Sequence, residues 1–241
     1  MQTLFFETLD STQYEAKRQL DAGLISTPTC LFAKTQTNGY GRFKRPFYSP
    51  NNGLYMTIVL PVQQLKCSDT LLTHATAIAL VSTLTAHGYQ GVGIKWINDL
   101  YMKNRKVAGI LIEKQTCGDM TYFLIGIGLN VNAQVIPSDL KNKMGILNDK
   151  YMQDPKQLML DIQEMLMTCI VLSDHEILQH YRQSCMVLER HIQAEVGHDV
   201  ISGIAKGIDS RGGLIIMTGS GEKIIHTGEL VHVNVLEKKE D

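Results

Sequence analysis

The stretch from Thr37 to Gly53 constrains this chain most, because Gly39, Gly41, Pro46, Pro50 and Gly53 crowd into it and forbid a regular helix or strand. Loops longer than about 12–15 residues are uncommon inside compact domains unless they are functional or disordered. The flanks read as regular structure. Residues 4–9 and 29–35 have strand composition, and Asp10-Ser11-Thr12 opens a helix between them. Thr12 and Glu15 have capping-box spacing, and Gly23 supplies a stop.

Residues 54–60 form a further strand, closed by Pro61. Leu71, Leu72, Ala75, Ile78, Ala79 and Ser82 recur at helical spacing up to Gly88. A short strand covers 92–96, and the runs 106–114 and 121–131 make a hairpin through Cys117-Gly118-Asp119. Asp154-Pro155 is a helix start, with proline at the first helical position and Leu158, Ile162, Met165, Leu166 and Cys169 on one face. A second helix follows over 174–185. After Val187 the texture changes to short β-prone runs (193–196, 200–208, 213–217, 223–226 and 230–236) between glycine-rich turns. That spacing predicts a small all-β barrel of about fifty residues. The charged Lys238–Asp241 tail reads as solvated. The class expected is α+β, with one large and one small domain.

The net charge of −1 gives no chain-wide footprint for nucleic acid. The five cysteines (Cys30, Cys67, Cys117, Cys169 and Cys185) include no C-x-x-C pair, which argues against a zinc or disulfide framework. The eight histidines show no metalloprotease spacing. With neither a signal-peptide pattern nor an apolar run long enough to cross a membrane, the expectation is a reduced cytoplasmic protein.

Four segments carry chemistry. In Gly39-Tyr40-Gly41-Arg42-Phe43-Lys44-Arg45, glycines permit close backbone approach and the cations suit a phosphate or carboxylate. The segment also reads as a flexible surface loop; it is neither a Rossmann fingerprint nor a P-loop. Lys95-Trp96-Ile97-Asn98-Asp99 groups a cation, an amide and a carboxylate that suit a magnesium–phosphate ion, or else a self-bonded turn. Lys106 leads into an apolar run, where it can neutralise developing charge or simply snorkel. Gly126 and Gly128 clear one face of a strand for a flat ligand or for a helix, with Asn130 beyond them.

In order and spacing these segments resemble the catalytic and C-terminal domains of bacterial biotin–protein ligases. That family carries Asp-Ser-Thr, Gly-Arg-Gly-Arg-x-Gly-Arg, Lys-Trp-Pro-Asn-Asp, Arg-Lys-x-Ala-Gly-Ile-Leu and Gly-x-Gly-x-Asn. They correspond here to Asp10–Thr12, Gly39–Arg45, Lys95–Asp99, Arg105–Leu111 and Gly126–Asn130. The resemblance implies a mixed-sheet catalytic domain of the class II aminoacyl-tRNA synthetase-like, biotin–lipoate ligase type over 1–187, and an SH3-like β-barrel over 188–241. It implies an enzyme that makes biotinyl-5′-AMP from biotin and ATP with Mg²⁺, then passes biotin to a lysine of a biotin carboxyl carrier domain.

The same resemblance assigns Ser11, Thr12 and Gln36 to the biotin ureido ring, and Gly39, Tyr40 and Arg42 to its carboxylate. Lys106 becomes the charge-stabilising catalytic residue, assisted by Arg42. Gly109, Gly126 and Gly128 line the biotin pocket. Arg45 falls to phosphate, Phe47 to stacking on adenine, Asn130 to its edge, and Asn98 and Asp99 to ATP, with Asp99 also as metal ligand. Three departures stand out: Tyr40 for the first loop arginine, Lys44 for the last loop glycine, and Ile97 for proline. Phe47 also stands where tryptophan is frequent. The catalytic strand begins at about residue 4, so a DNA-binding domain is not expected; monomer and homodimer both stay open. Rival readings are a lipoate ligase and a biotin-binding protein without turnover. The loop is expected to close over the adenylate as a lid, losing protease sensitivity over 38–47 when biotin and ATP bind.

Overall fold

The computed structural model describes residues 1–132, 135–148 and 155–233. Asp154, the end of the last strand beyond Val233, and the tail 238–241 lie outside the described residues.

The elements run β1 (Gln2–Leu9), α1 (Thr12–Asp21), β2 (Thr29–Gln36), β3 (Leu54–Pro61), α2 (Leu72–Ala86), β4 (Gly93–Lys95), β5 (Asp99–Met102), β6 (Arg105–Cys117), β7 (Met120–Leu129), α3 (Pro155–Cys169) and α4 (Asp174–Ser184). The seven strands form one sheet in the order β1-β2-β3-β7-β6-β5-β4. Only β1 and β2 pair in parallel, because α1 is the crossover between them.

Period-two alternation sets the two faces. On β7, Phe123, Ile125, Ile127 and Leu129 join the core under the α2–α4 layer, whereas Tyr122 and Leu124 pack with Ala16 and Leu20 of α1. Gly126 and Gly128 continue the second series, which leaves that face without side chains just beyond α1. α2 buries ten of its fifteen residues on more than one face because it lies between the sheet and α3 and α4.

Two local readings need correction. The N-cap of α1 is Ser11, whose side chain accepts from the Gln13 N–H, so Thr12 and Glu15 do not form a capping box. β5 was not foreseen, and the 92–96 strand ends at Lys95, so Trp96 sits in the connection to β5. β5 is only four residues long, and its hairpin to β6 turns through Lys103 and Asn104, both left-handed (φ 51° and 61°), without the Asn-Gly pair that usually marks such a turn.

The C-terminal strands β8 (His191–Val196), β9 (Asp199–Ile208), β10 (Leu214–Thr218), β11 (Gly221–Ile225) and β12 (Glu229–Val233) form an antiparallel sheet ordered β11-β10-β9-β8-β12. Among the described residues no pairing joins β11 to β12, so the expected barrel is an unclosed five-stranded sheet. Its inward residues Ile192, Ala194, Ala205, Leu214 and Ile216 share one core with the helix layer.

A polar joint fixes this sheet to the larger one. The Gly212 carbonyl accepts from Trp96 Nε1 at 3.0 Å and from His74 Nε2 at 3.1 Å, which sets the Nε2–H tautomer of this fully buried histidine. Tyr181 packs on the His74 ring at 4.4 Å. Burial pulls His74 down from 6.5 to about 4. The unfolded chain therefore holds a proton that the folded chain rejects between those values. Stability should be full above pH 6.5 and fall by about 3 kcal/mol toward pH 4. Urea midpoints at pH 7 and pH 4.5, compared with those of His74→Gln, check this; equal pH slopes would remove the assignment. No helix among the described residues is long and apolar enough to cross a membrane.

Candidate active site

One pocket collects most of the residues singled out in the sequence: Ser11, Thr12, Gln36, Tyr40, Arg42, Arg45, Phe47, Asn98, Asp99, Lys106, Gly109, Gly126 and Gly128. Strand order arranges them across the sheet. Ser11, Thr12 and Gln36 lie at the β1–β2 end, Gly126 and Gly128 on β7, Gly109 and Lys106 on β6, and Asp99 and Lys95 on β5 and β4.

The neutral end is built by hydrogen bonds. Asp10 accepts the Ser11 N–H at 2.7 Å and a two-pronged contact from Arg18, and the Arg18 bond holds its carboxyl below the ordinary carboxylate value. Thr12 donates its N–H to Gln36 Oε1 at 2.9 Å, while its hydroxyl reaches the same oxygen at 3.2 Å and accepts from Thr57. Gln36 Nε2 then donates to Ser49. The Asp-Ser-Thr motif is thus a helix cap that points small polar groups at the pocket.

The cationic end is half-buried. Lys106 Nζ lies 2.7 Å from Asp99 Oδ1, and Gly109 leaves room for the lysine side chain. The Lys106 backbone bonds to residues 143 and 145, and Asn130 Nδ2 donates to Lys106 O and Gly145 O. Arg42 donates to Asn98 Oδ1 at 3.1 Å, to Gly228 O and to Thr227, and Arg45 pairs with Glu229. The C-terminal sheet therefore closes one wall. Burial pulls Arg42 and Lys95 below their ordinary values, opposed in both by the Asp99 and Glu229 charges.

Two expected site residues are not on the wall. Asn130 is buried, with its amide N–H groups on two backbone carbonyls. Gly39 lies behind the wall, where a Cβ would meet Ser49 Oγ at 2.6 Å and Gln36 Nε2 at 2.8 Å. The glycine strip is also partly covered: a Cβ on Gly128 would lie 2.5 Å from Phe47 Cε1, and one on Gly126 3.1 Å from Gln13 Cδ. The cleared face thus seats the Phe47 ring and the Gln13 amide as well as open space.

Sequence reasoning missed Gln13, Met56, Tyr101 and Glu229, and gave Lys95 no role of its own, although all five line the pocket. Gln13 Nε2 donates to Glu113 and to Leu124 O, and its buried Oε1 has no partner among the described residues. Its place beside Ser11 and Thr12 was the available signal. Glu229 could not be read from sequence, because it reaches the pocket only through the packing of the two sheets.

A neutral hydrogen-bonding end beside a cationic end in one pocket suits the class of carboxylate-activating ligases. Residues 5–130 match the family model described as biotin/lipoate A/B protein ligase family, and 187–233 match biotin protein ligase C terminal domain. The chain belongs to the biotin/lipoate A/B protein ligase family. It is 29% identical over 222 residues to a bifunctional ligase/repressor BirA of Salmonella typhimurium, covering 86% of this chain and 67% of that one. It is 28% identical to a biotin–[acetyl-CoA-carboxylase] ligase of Paracoccus denitrificans, covering 92% and 96%. The biotin protein ligase of Aquifex aeolicus, solved with biotin and ATP, superposes with a TM-score of 0.81 at 26% identity, covering 95% and 97%.

Proposed function

We propose that this chain joins biotin to ATP as biotinyl-5′-AMP and transfers the biotinyl group to a lysine of a biotin carboxyl carrier domain. The observation that carries the reading is the order of groups across the sheet. A neutral hydrogen-bonding end, a glycine strip, a lysine and a cationic end follow one another in the order of a ureido head, an acyl chain, a carboxylate and a polyphosphate. The C-terminal match and the relatives favour biotin over lipoate.

Each residue then has a task. Ser11, Thr12, Gln36 and Gln13 orient the ureido ring. Lys106, with Arg42, stabilises charge as the carboxylate oxygen attacks the α-phosphorus and pyrophosphate leaves. Asp99 holds the Lys106 ammonium in place meanwhile. Arg45 and Lys95 attract the phosphates, and Phe47 offers its ring to adenine. Asn130 supports the Lys106 backbone rather than reading the adenine edge. In the second step the carrier lysine attacks the mixed anhydride and AMP leaves.

A magnesium ion would arrive with the nucleotide and be held at Asp99, through the carboxylate oxygen that does not face Lys106. The Asn98 oxygen already accepts from Arg42, and no group of three His, Cys, Asp or Glu among the described residues would hold an ion alone. Such an ion supplies charge screening at the phosphates. We assign 1–187 to catalysis and 188–241 to a C-terminal domain that supplies the closing wall through Gly228, Glu229 and Leu230, with the protein in the cytoplasm and no nucleic-acid partner. Incubation with biotin, ATP, Mg²⁺ and a carrier domain should add one biotinyl group to the carrier, seen by mass spectrometry. No addition, or equal addition with the carrier lysine changed to arginine, would sink the transfer step.

A further inference from the structure

The two departures in the loop touch each other. Lys44 stands where the resembled pattern has glycine, and its backbone is left-handed at φ 56°, a conformation that disfavours side chains. Its ammonium lies 3.9 Å from the centre of the Tyr40 ring and 3.7 Å from Glu113 Oε1. Tyr40, which replaces arginine, donates its hydroxyl to Glu113 Oε2 at 2.8 Å and stacks on Tyr14 of α1 at 4.7 Å. Lys17 of α1 reaches the same Glu113 oxygen at 3.0 Å, and Gln13 Nε2 donates to it at 3.0 Å. One carboxylate on β6 therefore joins the loop, helix α1 and a pocket amide. Burial raises the Glu113 carboxyl, but the Tyr40 and Lys17 hydrogen bonds and the Lys17 and Lys44 charges outweigh that and leave it lowered, so it stays ionised near neutrality.

We propose that Glu113 is a positioning residue for the loop: with Tyr40 and Lys44 as a matched pair, it clasps residues 39–47 over the pocket before any ligand binds. The clasp replaces an arginine and a glycine with an aromatic hydroxyl and a lysine that share one counter-charge. The consequence for catalysis, retention of the acyl-adenylate, rests on the function proposed above; the ligand-free clasp does not.

The test therefore has two readouts. The first is the rate of tryptic cleavage after Arg42 in ligand-free protein, a site that every variant keeps. The second is the rate at which preformed biotinyl-AMP leaves the enzyme. Tyr40→Phe and Glu113→Gln should each raise both rates about ten-fold, as expected for loss of a hydrogen bond to a charged group. Lys44→Gly should also raise them, although glycine suits that backbone better, and Lys44→Arg should restore most of the protection. The Tyr40→Phe thermal midpoint should stay near that of the parent, which separates positioning from folding.

Cleavage and release rates unchanged in Tyr40→Phe and Lys44→Gly would overturn the clasp. Slower rates in Lys44→Gly would overturn it too, because backbone strain alone would then govern the loop. If the parent protein makes no biotinyl-AMP, the functional reading fails, and the cleavage rates still decide the clasp.

Discussion

Lys106→Ala is expected to lower biotin-dependent ATP–pyrophosphate exchange roughly a hundred- to a thousand-fold, the range seen when a preorganised group facing developing charge is removed. Lys106 is the only lysine on β6 that lines the pocket among the described residues. It is held from three sides, by Asp99 at 2.7 Å, by backbone bonds to residues 143 and 145, and by Asn130. Such fixed donors need no reorganisation when charge moves onto the α-phosphate. Biotin binding without nucleotide, measured by calorimetry, should weaken only about ten-fold, because it loses one charged hydrogen bond. Lys106→Arg should recover little, since the planar guanidinium does not reproduce a compact ammonium wedged beside Gly109. An alanine variant with more than a tenth of parent activity would remove Lys106 from the chemistry.

Gly212→Ala should have the largest effect on stability. Gly212 is left-handed at φ 84°, and a Cβ there would clash with the His74 ring, 2.2 Å from Cε1. The ring cannot step aside, because it is fully buried and packed on Tyr181. Left-handed strain of about 1–2 kcal/mol, together with overpacking of similar size, suggests a loss of about 3 kcal/mol. The Gly212 carbonyl is also the shared acceptor for Trp96 and His74, so the joint itself should shift. Thermal unfolding checks the loss, and Trp96 fluorescence, from the only tryptophan in the chain, checks the joint. A parent-like midpoint and emission maximum would mean that the joint tolerates a side chain.

Much of the catalytic fold was legible because it is local. The β6–β7 hairpin, the α2 period and the Asp154-Pro155 start each follow from spacing within a few residues, and the observed elements agree wherever they are described. β5 escaped because its turn uses Lys103-Asn104, whose left-handed backbone no glycine announces. The pocket was legible through its motifs, since Ser11, Thr12, Gln36, Arg42, Asp99 and Lys106 converge as expected. What was not legible depends on packing between distant segments. Glu229 reaches Arg45 across the sheet–sheet joint, and Glu113 gathers Lys17, Tyr40 and Lys44 only once α1 and the loop meet over β6. Asn130 shares the parity of Gly126 and Gly128, but it lies just past the end of β7, where it is buried with its amide nitrogen on the Lys106 and Gly145 carbonyls.

The most direct test of the central claim is ATP–pyrophosphate exchange by the purified protein with biotin, lipoate or no acid. Exchange is expected with biotin, and only background with lipoate or without acid. Exchange as fast with lipoate, or none with biotin in a folded protein that binds ATP, would contradict that claim.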